Sequence, residues 1–227
     1  MRSPVNIVFI LQSISIPLLF FFAWFVFYYS GLFSGTREIP PVFTESRDVV
    51  ALNYPSAFNY LQTGTTCGPY SVAAVARVLG KNDISSEKVA ATISYQIPRY
   101  GTHPLGIEQA LREMDFIPES FRLHDASITD SERIAFLRSN LSAGQPIILL
   151  GEKKGVQHYL TLVGFHFEDK EFYVYDSWHD AGESGLTVDD NGVLPGNRTL
   201  SEEELLDFWS GGGVYGFYTW YAVVVSK

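Results

Sequence analysis

The chain contains one cysteine, Cys67, in the run Gln62-Thr63-Gly64-Thr65-Thr66-Cys67-Gly68-Pro69-Tyr70, just before the Ala/Val-rich stretch Ser71–Leu79. A thiol is mostly protonated at neutral pH and needs help to act as a nucleophile. A helix that starts at Cys67 supplies part of that help, because the unpaired N–H groups and dipole of a helix N-terminus stabilise a thiolate. A histidine within reach would form the ion pair and later protonate a leaving group. Of the five histidines (103, 124, 158, 166 and 179), His158 suits that task best, since it opens the apolar run Tyr159–Phe165 and so stands at a strand end.

A carboxylate beside His158 would hold the imidazole in the productive tautomer. Asp176 closes the next apolar run, Phe172-Tyr173-Val174-Tyr175. If the polar stretch 166–170 is a hairpin loop, Phe172 pairs with Gly164, Val174 with Leu162 and Asp176 with Leu160. That register leaves Asp176 two positions from His158 on the same face. A tighter turn at Asp169-Lys170 would carry the carboxylate away. Gln62 is the fourth candidate. Its side-chain amide, with the Cys67 backbone N–H, could donate to an oxyanion, a contribution typically of about 2.7–4 kcal/mol.

Gln62-x4-Cys67-Gly68-Pro69, His158 before an apolar strand and Asp176 after the next resemble the papain-like cysteine peptidase superfamily. More narrowly they resemble its C39-like peptidases, relatives of the bacteriocin leader-processing domains. The resemblance spans roughly Pro55 to Trp209 and includes Gly101-Thr102-His103-Pro104-Leu105-Gly106 leading into a helix. It implies a papain-like fold with Cys67 as nucleophile, His158 as base, Asp176 as orienting acid and Gln62 in the oxyanion hole. Two positions depart from the pattern. Thr66 stands where many relatives have an acidic or amide residue, and Ser177 where many have proline. No Walker motif accompanies the domain, so export of a double-glycine leader is not implied.

The elements that must position these residues form a helical first half and a strand-rich second half, an α+β arrangement. Cys67–Leu79 reads as a buried helix closed by Gly80, with Pro69 in its first turn. Further helices are expected over Ser86–Ile93, Gly106–Met114 and Ser131–Leu141. Short strands follow over Pro146–Leu150, His158–Phe165 and Phe172–Asp176. Ser201-Glu202-Glu203-Glu204 fits a capping box that opens a helix through Trp209, and a last strand is expected over Val214–Val225.

The N-terminus is different in kind. No charged side chain occurs from Ser3 to Thr36. Ile7–Tyr29 is about 23 residues, roughly 34 Å as a helix, against a bilayer core of about 30 Å. Trp24, Tyr28 and Tyr29 gather at one end, as aromatic residues do at a membrane boundary. A cleaved signal peptide would have a shorter apolar region and a small-x-small site, which Phe33-Ser34-Gly35 matches poorly. The expected organisation is an anchor over 1–36, a spacer over 37–50 stiffened by Pro40-Pro41, and a catalytic domain over 51–227. Such an architecture usually exports the domain, giving a single-pass protein with its domain on the extracytoplasmic side.

Composition narrows the rest. With 46% hydrophobic and 15% aromatic residues the chain is expected to fold. A net charge of −9 offers no basic stripe for nucleic acid. A single cysteine excludes an intramolecular disulfide or a multi-Cys zinc site, and no metal or cofactor is expected. Asn140-Leu141-Ser142 and Asn197-Arg198-Thr199 match the N-glycosylation pattern. The expected partners are a peptide or protein substrate and membrane lipid at the N-terminal helix, with room for a membrane-protein partner. The rival readings are a catalytically inactive papain-like scaffold and a related acyl-transfer or amidase enzyme.

Overall fold

The computed structural model describes residues 48–54, 56–97, 101–180, 183, 194–213 and 216–227, with three isolated positions (19, 22 and 23) before them. Apart from those three positions, the expected transmembrane segment and most of the spacer lie outside the described residues. Among the described residues no helix is long and apolar enough to cross a membrane. The chain divides into two units, Met1–Thr36 and Arg37–Lys227, and the second carries the site.

That second unit is an α+β domain built on an antiparallel sheet. Its strands are β1 (Val49–Ala51), β4 (Ile117–Arg122), β5 (Ile147–Lys153), β6 (Val156–His166), β7 (Glu171–Tyr175), β8 (Arg198–Ser201) and β9 (Tyr221–Ser226). They lie in the order β4-β9-β5-β6-β7-β8. β6 outruns β5, and β1 takes up the vacant edge by pairing Val49–Ala51 with His166–Gly164. A separate two-stranded ribbon joins β2 (Gln96–Ile97) and β3 (Gly101–Thr102).

The helices are α1 (Cys67–Val78), α2 (Ser86–Thr92), α3 (Pro104–Glu113), α4 (Asp130–Ser142) and α5 (Glu202–Ser210). Alternation along the central strands sends their side chains to cores on opposite faces of the sheet. Leu149, Leu160 and Leu162 pack with Phe136, Leu137, Leu205 and Trp209 from α4 and α5. Ile148, Leu150 and Tyr159 pack with Cys67, Val72, Ala76 and Ile107 from α1 and α3. This period-two division is what a sheet buried on both faces requires.

Local chemistry sets the helix ends. Gly80 at φ +97° follows α1, and the Gly80 and Lys81 N–H groups bond back to the Arg77 and Ala76 carbonyls, a Schellman closure. Thr129 with Glu132, and Ser201 with Glu204, form reciprocal capping boxes at α4 and α5. α1 is buried along nearly its whole length, which accounts for its small apolar side chains.

Four expectations need correction. Strand β1 occupies the end of what reads as spacer, because Val50 is a core residue. The last strand begins at Tyr221 rather than Val214, since turns occupy 216–220. The first half is not purely helical, because β4 pairs along the C-terminal strand β9. His158 is not a strand end either: β6 begins two residues earlier, and His158 pairs with Gly151 in β5.

Candidate active site

Cys67 is the first residue of α1 and is 7% exposed. Thr66, at the N-cap, makes no capping hydrogen bond; its hydroxyl donates instead to the Thr63 carbonyl at 2.7 Å. The positive end of the helix is therefore not quenched by a side-chain oxygen where the thiol stands. Gly68 permits the approach of α3, because a Cβ there would lie 2.8 Å from Ile107 Cδ1 and 2.9 Å from Thr102 Cβ.

His158 is held by the packing of α5 over the β5–β6 hairpin. Opposite it, a Cβ on Gly151 would meet the Phe208 carbonyl at 2.2 Å, so only glycine allows this contact. The rings of Trp178 and Phe208 stand edge-on to the imidazole at 5.6 and 6.4 Å. His158 is 1% exposed.

Asp176 is fully buried, and its Oδ1 lies 2.8 Å from His158 Nε2. The contact survives a turn tighter than the expected one. Near the turn the register is Gly164↔Tyr173 and Phe165↔Phe172, one residue off the expected pairing. An irregularity between Leu162 and Gly164 restores Leu162↔Val174 and Thr161↔Tyr175. Val163 is the extra residue, and it returns Asp176 to the neighbourhood of His158.

Four residues fix the Asp176 backbone and carboxylate further. Asn197 accepts from the Asp176 N–H and donates to its carbonyl, each at 2.8 Å. The Trp178 N–H donates to Oδ1 at 2.9 Å. Lys153 Nζ and Arg198 Nη1 donate to Oδ2 at 2.7 and 3.0 Å. Asn197 is buried in these bonds, and Asn140 donates to the Phe136 carbonyl at 2.7 Å. The Asn197 amide is therefore committed inside the fold, whereas Asn140 is half-buried on the surface of α4.

The protonation states follow from this geometry. Desolvation works against an ionised Asp176, but hydrogen bonding and charge from His158 and Lys153 outweigh it and hold the carboxyl well below the usual carboxylate range. An ionised Asp176 requires His158 to donate from Nε2, which leaves Nδ1 for the thiol. Burial opposes an imidazolium, yet hydrogen bonds to Asp176 and Cys67, with their charges, raise His158 to about 9. Cys67, His158 and Asp176 are thus brought into one connected group.

Gln62 lies beside them on a different segment. Its N–H donates to the Ser177 carbonyl at 2.7 Å, and its Oε1 accepts from the Ser177 hydroxyl at 2.7 Å. Nε2 donates one hydrogen to the Gly64 carbonyl at 2.8 Å. A carbonyl can only accept, so the amide orientation is set: oxygen toward Ser177, nitrogen away from it. The dipeptide Asp176-Ser177 thereby holds the histidine with one residue and the glutamine with the next. Ser177 stands out in the sequence only as a departure from proline. Nothing in the sequence assigns Lys153, Asn197 or Arg198 to the site, since each reaches Asp176 by long-range contact.

His103 has a structural task. Its Nδ1 accepts from the Leu105 N–H at 3.2 Å at the start of α3, and its Nε2 faces the Tyr218 hydroxyl at 2.9 Å. Among the described residues no group of three His, Cys, Asp or Glu side chains could hold a metal ion.

A thiol at a helix start, an imidazole and a buried carboxylate on an α+β domain define the class of papain-like thiol sites. The chain belongs to the Peptidase C39-like family, whose model matches residues 48–193. Among solved structures, the peptidase domain of Streptococcus ComA, a bi-functional ABC transporter involved in a quorum sensing pathway, is 20% identical, with 74% of this chain and 96% of that one covered and a TM-score of 0.46. A double glycine motif protease from an AMS/PCAT transporter, solved in complex with its leader peptide, is 16% identical, with 78% and 93% covered and a TM-score of 0.48. A comparison with curated proteins finds no match.

Proposed function

We propose that this protein is a membrane-anchored cysteine peptidase that cleaves a peptide bond through Cys67, His158, Asp176 and Gln62. The observation that carries the reading is His158 itself, bonded through Nε2 to Asp176 at 2.8 Å and raised by the hydrogen bond and charge of Cys67. Cys67 gives its proton to His158 Nδ1 and attacks the scissile carbonyl. The oxyanion that forms is met by the Cys67 N–H and the second hydrogen of Gln62 Nε2. His158 then protonates the leaving amine, and a water deacylates the thioester with His158 as base. Asp176 stays ionised throughout and stabilises the imidazolium. Ser177, whose identity favours the inactive-scaffold reading at the level of sequence, is engaged in orienting Gln62.

Labelling by a peptide carrying a thiol-reactive warhead tests the activated thiol. Wild-type protein is expected to label at neutral pH at least ten times faster than His158→Ala. Equal rates in a folded variant would sink the reading.

The anchor belongs to the same proposal: Ile7–Tyr29 crosses the membrane and the domain faces the extracytoplasmic side. Its support is the charge-free stretch Ser3–Thr36 and its aromatic end. The full chain is expected to stay in the membrane pellet after an alkaline carbonate wash, whereas deletion of residues 1–36 releases it. A full chain that washes into the supernatant would refute the anchor.

A further inference from the structure

Behind Asp176 the structure closes a square of ion pairs. Lys153 Nζ lies 2.7 Å from Asp176 Oδ2 and 2.9 Å from Glu183 Oε2. Arg198 Nη1 lies 3.0 Å from the same oxygen of Asp176 and 3.0 Å from the same oxygen of Glu183. Each cation touches both anions, and all four side chains are buried or nearly so. The four charges cancel. Lys153 reaches the square from the end of β5, Arg198 from the start of β8 and Glu183 from the segment after β7. Lys153 also donates to the Trp178 carbonyl, so the square fixes the residue whose ring lies on His158.

We propose that Lys153, Arg198 and Glu183 are positioning residues that clamp the rear oxygen of Asp176 and set, by their charge balance, how strongly His158 holds its proton. The inference rests on the catalytic reading of Cys67, His158 and Asp176. With Oδ2 clamped by two cations, the carboxylate cannot rotate, and Oδ1 faces His158 and the Trp178 N–H. Two cations alone would repel an imidazolium, and Glu183 is the counter-charge that prevents this. Glu183 remains ionised to low pH: desolvation opposes it, but hydrogen bonds from Lys154 and Lys153 bring it to about 2.

The charged and titratable groups facing His158 and the square come from every side. They are Cys67 at the start of α1, Asp176 after β7, Lys153 and Lys154 from the β5–β6 hairpin, Arg198 from β8, and Glu183 with Asp180 from the segment beyond Asp176. Tyr175 also senses Asp176, but its phenol is pushed up by burial and stays neutral. Phe208 and Trp178 contribute apolar walls.

The test is a pH titration of the His158 imidazole by NMR on the full chain in detergent, with its resonance identified by loss in His158→Gln. Glu183→Gln leaves the square with net positive charge, and the deprotonation midpoint is expected to fall by about one pH unit. Lys153→Met leaves it net negative, and the midpoint is expected to rise by a similar amount. The double variant is neutral again and returns close to wild type. Loosening of structure alone would lower both single variants toward the ordinary imidazole value, and that result, or no movement in either, overturns the proposal. The titration needs no turnover. If wild type shows no His158-dependent labelling while the compensation holds, the peptidase reading fails and the charge balance stands.

Discussion

Cys67→Ala is expected to abolish peptide cleavage, with a loss on the order of 10^6-fold in kcat, because removing the nucleophile of a covalent mechanism leaves only binding and the oxyanion donors. The fold should survive. Cys67 is a small side chain at the edge of the α1 core, and alanine already stands at three buried positions of that helix, Ala73, Ala74 and Ala76. A cost of about 1 kcal/mol or less is expected in a denaturant titration. A second readout guards against a trivial explanation. The hydrogen bond and charge of Cys67 are among the causes that raise His158 to about 9, so the variant's histidine should release its proton at lower pH. An unchanged histidine titration in an inactive, folded Cys67→Ala would mean that the thiol and imidazole do not form an ion pair. Cleavage retained by the variant would remove Cys67 from the mechanism altogether.

What the sequence discloses about this site, and what it conceals, follows from the range of the forces involved. The start of α1 is legible because its signals are local: Pro69 in the first turn, a buried apolar face and Gly80 at positive φ beyond its end. The capping boxes Thr129/Glu132 and Ser201/Glu204 are equally local, though only the second is visible as a run of glutamates. Strand edges are less legible. β5 and β6 extend past their apolar stretches into Gly151–Lys153 and Val156–Gln157, because cross-strand pairing carries polar residues along. The register between His158 and Asp176 comes out right near the site for a reason no pattern contains. A turn one residue tighter than expected is offset by the irregularity at Val163, which packs with Tyr54, Tyr70 and Tyr175 in its own small core. β1 and β8 are short edge strands whose existence depends on the partner they meet. Lys153, Asn197 and Arg198 converge on Asp176 from 21 to 23 residues away. Periodicity cannot reveal contacts of that kind.

Asp176→Asn is expected to be the most damaging change that keeps the shape of the site, and the reason is the clamp on its rear oxygen. An amide has one accepting and one donating end. With its oxygen toward His158 and the Trp178 N–H, its NH2 points at Lys153 and Arg198, two groups that can only donate. With the amide reversed, its NH2 faces His158 Nε2 and selects the tautomer that cannot accept the Cys67 proton correctly. In the serine-protease template the wrong tautomer costs about 10^4-fold in kcat, and a loss of at least about 10^2-fold is expected here. Stability should fall as well, by about 3 kcal/mol, because one anion of a buried ion-pair group is removed while its cations remain. The pH dependence gives the sign. Folded His158 titrates near 9 against 6.5 for the unaltered group, so its contribution is complete below about pH 6.5 and is lost as pH rises through about 9. Folded Asp176 is depressed below its ordinary value of 3.8, so its contribution is complete above that value and is lost as pH falls below it. Wild-type stability should therefore decline on both sides of a plateau between about pH 4 and 6.5. In Asp176→Asn the alkaline decline should shrink and the acid decline lose the share due to Asp176. Chemical denaturation at pH 5, 7 and 9 reads the difference directly. A variant that is as stable as wild type and loses stability equally steeply between pH 7 and 9 would show that Asp176 does not hold the histidine's proton.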